Sequence, residues 1–414
     1  MHVDLLDILR CPYCGGHLEL VTSLFHQTDG DTIANGILGC QCCVFPVVDG
    51  IPVLHLNPSG VKARELVEAG TPSLALRAMV GLDDEDQART FEAVAAASTS
   101  SFKDLVEALG PSLEGGYFLY RFSDPTFMVA DAVVRSVAGA ALRTGGRALD
   151  VCGGSGHVTR ALVPLSTPAP VLADLFFPKI WLARRCTAPG AIPVCCDGNA
   201  PLPFARGAFD FAMCSDAFMF IWMKRLFVSE LFRAVAGSPR ATVLINHTHN
   251  QLVWSASHGQ ALTPAGYANL FEHAGVRLFG ESQLFDNVVR GDALDLTTVN
   301  EPSTLDGEVA LTAIASAVPG IFERHPFTPP DPRGCTWRIN PLYALDDRGD
   351  DIHGRLTFPS VDYEDEYGAC RQYLPDDVLV DRAALTALQA GASPEALHDL
   401  IRRRVIVALP TGYV

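Results

Sequence analysis

Five cysteines fall within the first 43 residues: Cys11 and Cys14 in CPYCGG, then Cys40, Cys42 and Cys43 in LGCQCCVFP. Two cysteines separated by two residues and followed by glycine fit a tight knuckle whose amides point at the sulfurs and turn both thiolates toward one metal ion. The 25 residues between Cys14 and Cys40 leave room for a hairpin, and a second knuckle would close a tetrahedral Zn2+ site. Cys40 and Cys43 repeat the C-x-x-C spacing, while Cys40 and Cys42 would make a tighter C-x-C. The expected ligands are Cys11, Cys14, Cys40 and Cys43. Four thiolates leave no position for water, so such a zinc is structural, and a segment this short has little apolar surface to fold around without it.

A second set of residues begins at Arg147 in RALDVCGGSGHVTRAL. An apolar run ending in Asp150, a loop of small residues and a helical pattern describe the strand, turn and helix of a doubly wound α/β sheet. Gly153, Gly154 and Gly156 let a ligand lie against the backbone, and Ser155 is placed to cap the helix. The next strand, PVLADL, ends in Asp174 and Leu175; Asp174, 24 residues after Asp150, stands where a carboxylate accepts both ribose hydroxyls of a nucleoside. A third, AIPVCCDGNAPLPF, leads to Asp197, placed to accept an adenine amine, with Gly198 and Asn199 behind it. A fourth, AFDFAMCSDAFMFI, ends near Ser215 and Asp216. Four strands thus bring polar residues to their carboxyl ends, the edge at which open α/β sheets bind ligands. NAD is disfavoured, because the loop reaches Thr159 where the dinucleotide fingerprint needs a third glycine.

Beyond a fifth strand, ATVLINHTHNQLVWSASHGQ carries His247, His249 and His258, whose ordinary pKa lies near neutrality. His247 and His249 are expected to act as a general base or to position a substrate; the spacing is a poor pattern for a metal set. Phe218, Phe220 and Trp222 follow the fourth strand directly and suggest an apolar or aromatic ligand. The candidate substrate contacts are Tyr117, Tyr120, Phe220, Trp222, Trp254 and His258, although the group Tyr117 to Phe122 also reads as core packing. Cys152, Cys195, Cys196 and Cys214 read as small apolar filling of buried strands.

These residues need elements to hold them. A chain of 414 residues exceeds one hydrophobic core and asks for two or three domains. With 48% apolar and 19% charged residues it has the composition of a globular enzyme. Thirty-one basic against 47 acidic residues give −16, which opposes nucleic acid and anionic lipid as partners. MHVDLLDILR lacks the pattern of a signal peptide, and no apolar run is long enough to cross a membrane, so the cysteines are expected reduced and the chain cytoplasmic. The expected order is a ribbon at 1–58, a helical connector at 59–116 with helices in SLALRAMVGL and SFKDLVEALG, an α/β domain at 117–290, and an α+β extension at 291–414 that serves as a lid or a homodimer contact.

DLLDILRCPYCGGHLEL, the second knuckle and FPVVDGIPVL resemble the small zinc-ribbon family whose free-standing members bind and activate methyltransferases. The three-cysteine second knuckle departs from that pattern. The order of Asp150, Gly154, Gly156, Asp174, Asp197 and the LPF after it resembles the class I S-adenosylmethionine-dependent methyltransferases across residues 117–285, and LDVCGGSG is similar to the loop of the ubiquinone and menaquinone C-methyltransferases. The resemblance implies that Asp150 lies near the methionine amino group, that Gly153, Gly154 and Gly156 lie against the cofactor, that Asp174 and Leu175 meet the ribose, and that Asp197, Gly198 and Asn199 bracket the adenine, with Ser215 at the same edge. The expected activity is methyl transfer to a small molecule, in specialised metabolism. An RNA methyltransferase and a non-catalytic scaffold are the alternatives, the first opposed by the acidic charge and the absence of Lys/Arg clusters in residues 1–60.

Overall fold

The computed structural model describes residues 1–21, 26–110, 115–255, 259–271, 275–327 and 333–414. Short strands open the chain: β1 (Glu19–Leu20), β2 (Gln27–Asp29), β3 (Thr32–Gly39), β4 (Val44–Val48) and β5 (Ile51–Pro52). They form one antiparallel sheet in the order β1-β3-β4-β5, with β2 also paired to β3. Four helices follow: α1 (Pro58–Glu68), α2 (Pro72–Val80), α3 (Glu85–Ala96) and α4 (Phe102–Leu109). Helices α2 and α4 lie where the apolar periodicity puts them, and Ser101 forms a capping box with Asp104. Between them the polar run GLDDEDQART opens a helix that the connector was not expected to hold, α3. Asp84 accepts the amides of Asp86 and Gln87, and Glu85 and Asp86 occupy the first turn, where acidic side chains favour a helix.

Helices α5 (Gly115–Tyr120) and α6 (Pro125–Ala141) lead into the central sheet. Its elements are β6 (Ala148–Val151), β7 (Val171–Asp174), α7 (Phe177–Leu182), β8 (Ile192–Cys195), β9 (Phe211–Ser215), α8 (Lys224–Ala234), β10 (Thr242–His249), α9 (Pro264–Leu270), β11 (Val276–Gly280) and α10 (Glu281–Arg290), then β12 (Leu294–Asp295) and β13 (Ala310–Ser316). The order is β11-β13-β10-β9-β6-β7-β8, with β8, β7, β6, β9 and β10 parallel and β13 antiparallel to both neighbours. The fold is α/β with a doubly wound sheet. Strand β6 stands at the switch in strand order, so the loop after it opens into a crevice.

Two expectations are corrected here. Residues after 290 are not superfluous to the sheet, because β13 lies between β10 and β11; its run ALTAIAS is buried almost throughout and lacks the alternation of a half-exposed strand. The helix expected after the glycine loop is a short 3-10 turn at Thr159–Leu162, and the buried Ser155 hydroxyl caps nothing.

Among the described residues the ribbon has no separate core. Leu9, Phe45, Val47 and Leu54 join the same buried cluster as Leu149, Val171 and Val243 of the central sheet. Val53 bridges Cys195 in parallel, and the Leu54 amide donates to the Cys195 carbonyl at 2.7 Å, so the ribbon extends the sheet past β8. The Trp181 indole donates to Asp49 at 2.7 Å from the same side. An open edge that would template pairing with other chains is thereby covered.

The remaining elements are β14 (Arg324–His325), β15 (Cys335–Ile339), β16 (Tyr343–Arg348), β17 (Asp351–Leu356), α11 (Val361–Tyr367), β18 (Asp377–Asp381), α12 (Arg382–Gln389), α13 (His398–Arg402) and β19 (Ile406–Pro410). Strand β14 pairs with β12, β15 with β19, and β16, β17 and β18 form a meander. The chain end returns to the glycine loop: Tyr413 stacks on Phe102 with centroids 4.7 Å apart, its hydroxyl donates to the Phe118 carbonyl, and it meets His157 Nε2 at 2.7 Å. Tyr413→Ala is expected to cost about 3–5 kcal/mol by emptying this site, and Tyr413→Phe only about 1–2 kcal/mol. Urea titration separates the two; equal losses would mean that packing is not what anchors the tail. Among the described residues no helix is long and apolar enough to cross a membrane.

Candidate active site

Strand β6 ends in a turn that most side chains disfavour: φ is 63° at Cys152 and 54° at Gly154. A Cβ on Gly153 would lie 2.4 Å from Leu172 and 2.6 Å from the Asp150 carboxylate, whereas one on Gly154 would meet nothing nearer than Lys179 at 4.0 Å. Gly153 is thus required by packing, and Gly154 leaves an open face. The Gly154 amide donates to Asp174 Oδ2 at 2.9 Å and the Phe176 amide to Oδ1 at 2.8 Å, tying the acid that ends β7 to the loop that follows β6. Burial raises the Asp174 pKa despite these amides. Asp150 accepts the Thr159 hydroxyl at 2.6 Å on Oδ2, and burial pushes it up to about 7.

The third loop packs on the first. A Cβ on Gly198 would lie 3.2 Å from the Cys152 sulfur. Asp197 accepts the Asn199 amide at 2.8 Å, and Asn199 Oδ1 accepts the Trp222 amide at 2.7 Å. The Leu175 carbonyl accepts the Cys195 thiol at 3.3 Å. Asp150 Oδ1, Ser155 Oγ, Ser215 Oγ and both amide atoms of Asn246 are buried with no hydrogen-bond partner. Each such atom costs about 1–3 kcal/mol, and five at the carboxyl ends of β6, β9 and β10 mark a place where a polar ligand would complete the set.

Beside this crevice β10 carries a bulge between Ile245 and Thr248, and Asp216 and His247 have φ of 54° and 51°. Two more strained backbones therefore stand at the same edge. His247 Nδ1 meets Glu281 Oε2 at 2.6 Å, and the His247 amide and Thr312 hydroxyl donate to Glu281 Oε1 at 2.7 and 2.8 Å. Asp216 Oδ2 accepts from Arg121 at 2.6 Å, while its Oδ1 lies 3.9 Å from His247 Nε2. Burial disfavours the His247 cation, but Glu281 and Asp216 outweigh it and raise the pKa to about 9. Burial, then the charge of His247, lowers His249. His249 Nδ1 meets the Ser255 hydroxyl at 3.2 Å. The ring helps to wall a cavity of about 740 Å³ together with Met219, Trp222, Lys224, Asn250 and Leu262.

The structure sorts the expected substrate contacts. Trp222 lines the cavity and is 68% exposed. Phe220 and Trp254 are exposed and lie outside the lining, and His258 falls outside the described residues. Tyr117 donates to Glu366 at 3.0 Å and packs on Tyr363 and Tyr367, while Tyr120 packs on Tyr363 and borders a different cavity with Lys103 and Arg338. The rings of α11 draw both tyrosines away from the cavity at His249. Glu281 and Asn246 are absent from the expected set, because each reads as an ordinary residue of its element; only the β10 bulge and the turn into α10 bring them here.

In the ribbon, ligand atoms of Cys11, Cys14, Cys40 and Cys42 all lie within 4.8 Å of one another. Sulfur separations are 3.6 Å for Cys11 and Cys42, 3.7 Å for Cys14 and Cys40, and 3.5 Å for Cys40 and Cys42. A tetrahedron with Zn–S bonds of about 2.3 Å places sulfurs roughly 3.8 Å apart. Cys42, and not the expected Cys43, is the fourth member of this cluster. Cys43 lies where the strand begins: its carbonyl accepts the Cys40 amide at 2.9 Å, its amide points at the Cys40 sulfur as that of Cys42 does, and its own sulfur lies 3.4 Å from that of Cys42. Burial raises the Cys40 thiol, but the amides of Cys42 and Cys43 overcome it and bring the pKa down to about 7.

No known family model and no curated protein matches the chain. Among solved structures it is similar to the complex between the Haloferax volcanii Trm112 methyltransferase activator and its candidate methyltransferase, at 15% identity and a TM-score of 0.34 over 53% of this chain and 98% of that one. A SAM-dependent methyltransferase from Aquifex aeolicus is 15% identical, with a TM-score of 0.33 over 48% and 97%. A TehB-like SAM-dependent methyltransferase from Corynebacterium glutamicum is 17% identical, with a TM-score of 0.31 over 43% and 86%. Likenesses at this level add nothing to the strand order, on which the fold rests.

Proposed function

We propose that this protein is an S-adenosylmethionine-dependent methyltransferase acting on a small molecule, with a structural zinc ribbon built onto the edge of its sheet. The observation that carries the reading is the set of unpartnered polar atoms at the carboxyl ends of β6, β9 and β10, beside an open glycine and two buried aspartates. These features fit the cofactor that the sequence resemblance implies. Asp150 would hold the methionine amino group on its unpaired oxygen, Gly153, Gly154 and Gly156 would lie against the cofactor backbone, Asp174 and Leu175 would take the ribose, and Asp197, Gly198 and Asn199 the adenine, with Ser215 beside them. Cys11, Cys14, Cys40 and Cys42 fit Zn2+ by donor type and spacing.

When bound, S-adenosylmethionine supplies an electrophilic methyl group on a sulfonium. The chain's own contribution is alignment, since in-line displacement depends on holding the acceptor at the correct distance and angle. The cavity at Trp222 and His249 is tied to the Asn199 loop through the Trp222 amide, and its lining supports an acceptor with an apolar body and a polar end. Trp222 would meet the body at the rim. His247, held between Glu281 and Asp216, keeps its proton at neutral pH and is unsuited to act as a base. His247 and His249 are therefore assigned to positioning the acceptor's polar end. The net charge of −16 favours a small acceptor over RNA.

Calorimetry with S-adenosylmethionine tests the reading, and absence of binding would overturn it. Asp174→Ala is expected to weaken binding by about 1–3 kcal/mol, the cost of hydrogen bonds to a charged group. Trp222→Ala is expected to raise the acceptor KM and leave cofactor affinity unchanged; a loss of cofactor affinity instead would place Trp222 in the wrong subsite.

A further inference from the structure

The cluster at the end of β10 has more acid than its partners neutralise. Asp124 and Asp216 both pair with the Arg121 guanidinium, Glu281 pairs with His247, and the charge of Glu366 also reaches His249. Ligand atoms of Asp216, His247 and His249 lie within 4.8 Å of one another, and the two imidazole rings stand at 85° with centroids 5.3 Å apart. Asp216 Oδ1 and His247 Nε2 face each other at 3.9 Å, too far for a hydrogen bond.

We propose that Asp216, His247 and His249 form a site for one divalent transition cation, open to the cavity on the side of His249. Two imidazoles and one carboxylate are the donor set that such cations take on one face, leaving the other positions for water or substrate. The surroundings are those of a ligand shell. Glu281 holds His247 through Nδ1 at 2.6 Å, which aims Nε2 at Asp216, and Arg121 holds Asp216 by its other oxygen. Bonds of about 2.1 Å at right angles require donors roughly 3 Å apart, so binding would draw the three side chains inward by about 1 Å. The φ values of 54° at Asp216 and 51° at His247 are what bring residues from β9 and β10 to one point. The site is separate from the ribbon, whose four thiolates select zinc by softness. The role of the cation rests on the methyl-transfer reading: it would displace the Nε2 proton of His247 to solvent on binding and hold an oxygen or nitrogen of the acceptor at the polar end of the cavity.

The test uses the full chain purified with its ribbon zinc and titrated with Mn2+, bound and free ion being distinguished by EPR. One Mn2+ per chain is expected. His249→Gln and Asp216→Asn are each expected to weaken binding at least 10-fold with zinc content and circular dichroism unchanged, and Glu281→Gln to weaken it by about 10–100-fold through the ligand it orients. No Mn2+ bound by the unaltered chain, or binding undiminished in whichever of the first two variants folds, would overturn the site and leave the carboxylates neutralised by protonated His247. S-adenosylmethionine calorimetry on the same samples separates the two readings. Intact cofactor binding without Mn2+ binding overturns the cation alone, whereas lost cofactor binding by the unaltered chain overturns methyl transfer.

Discussion

Chelation of zinc is expected to unfold residues 1–56 and to strip the outer neighbour from β8. Structural zinc contributes on the order of 10–16 kcal/mol to folding in small thiolate domains. Here that energy is shared with the central sheet, because Val53 and Leu54 pair with Cys195 and because Leu9, Phe45 and Val47 lie in the cluster under β6, β7 and β10. Hydrogen exchange should therefore accelerate at Ile192–Cys195 as well as in the ribbon. Retained protection there would show that the ribbon only decorates the sheet. Among single variants, Cys42→Ser is expected to release zinc and lower Tm far more than Cys43→Ser, read by metal content and thermal melting. The reverse order would restore Cys43 as the fourth ligand.

Asp150→Asn is expected to stabilise the cofactor-free chain at pH 8 and to impair cofactor binding. The carboxyl is fully buried, with one oxygen on Thr159 and the other without a partner, and its pKa is raised to about 7 from the ordinary 3.8. Between those values the folded chain retains a proton that the unfolded chain has lost. Stability therefore falls as pH rises through this window, and the penalty is complete above it. The amide carries no such penalty, so the variant should melt a few degrees higher at pH 8, with the difference shrinking toward pH 4. Loss of the carboxylate that would face the cofactor's ammonium should weaken binding by about 1.5–3 kcal/mol. A variant less stable at pH 8, or one with unchanged affinity, would contradict the role given to Asp150.

Much of the crevice at the carboxyl ends of β6 and β7 was legible because its residues are local. RALDVCGGSG holds strand end, acid and turn within ten positions, and PVLADL does the same for Asp174. The surroundings of the cavity at His249 were less legible. Tyr117 and Tyr120 lie near the domain start in sequence, yet the rings of α11, more than 240 residues later, decide where they pack. Glu281 carries no signal at all in FGESQLF. It matters because α10 starts beside the β10 bulge and its carboxylate meets a histidine 34 residues back.

The doubly wound sheet, the glycine loop with its acids, and the clustering of cysteines follow from short-range patterns: apolar runs, turn residues and knuckle spacing that any fold must respect. Three features depend on contacts between distant segments. Strand β13 completes the sheet from beyond residue 290 because β10 and β11 leave a slot that only an antiparallel strand fills. Cys42 rather than Cys43 joins Cys11, Cys14 and Cys40 in one sulfur cluster, which brings together cysteines 31 residues apart where β3 and β4 begin to pair. Asp216, His247 and His249 converge because a bulge and two left-handed residues bend two strand ends together. Periodicity reports which side of a strand is buried; it carries no information on what arrives to meet it.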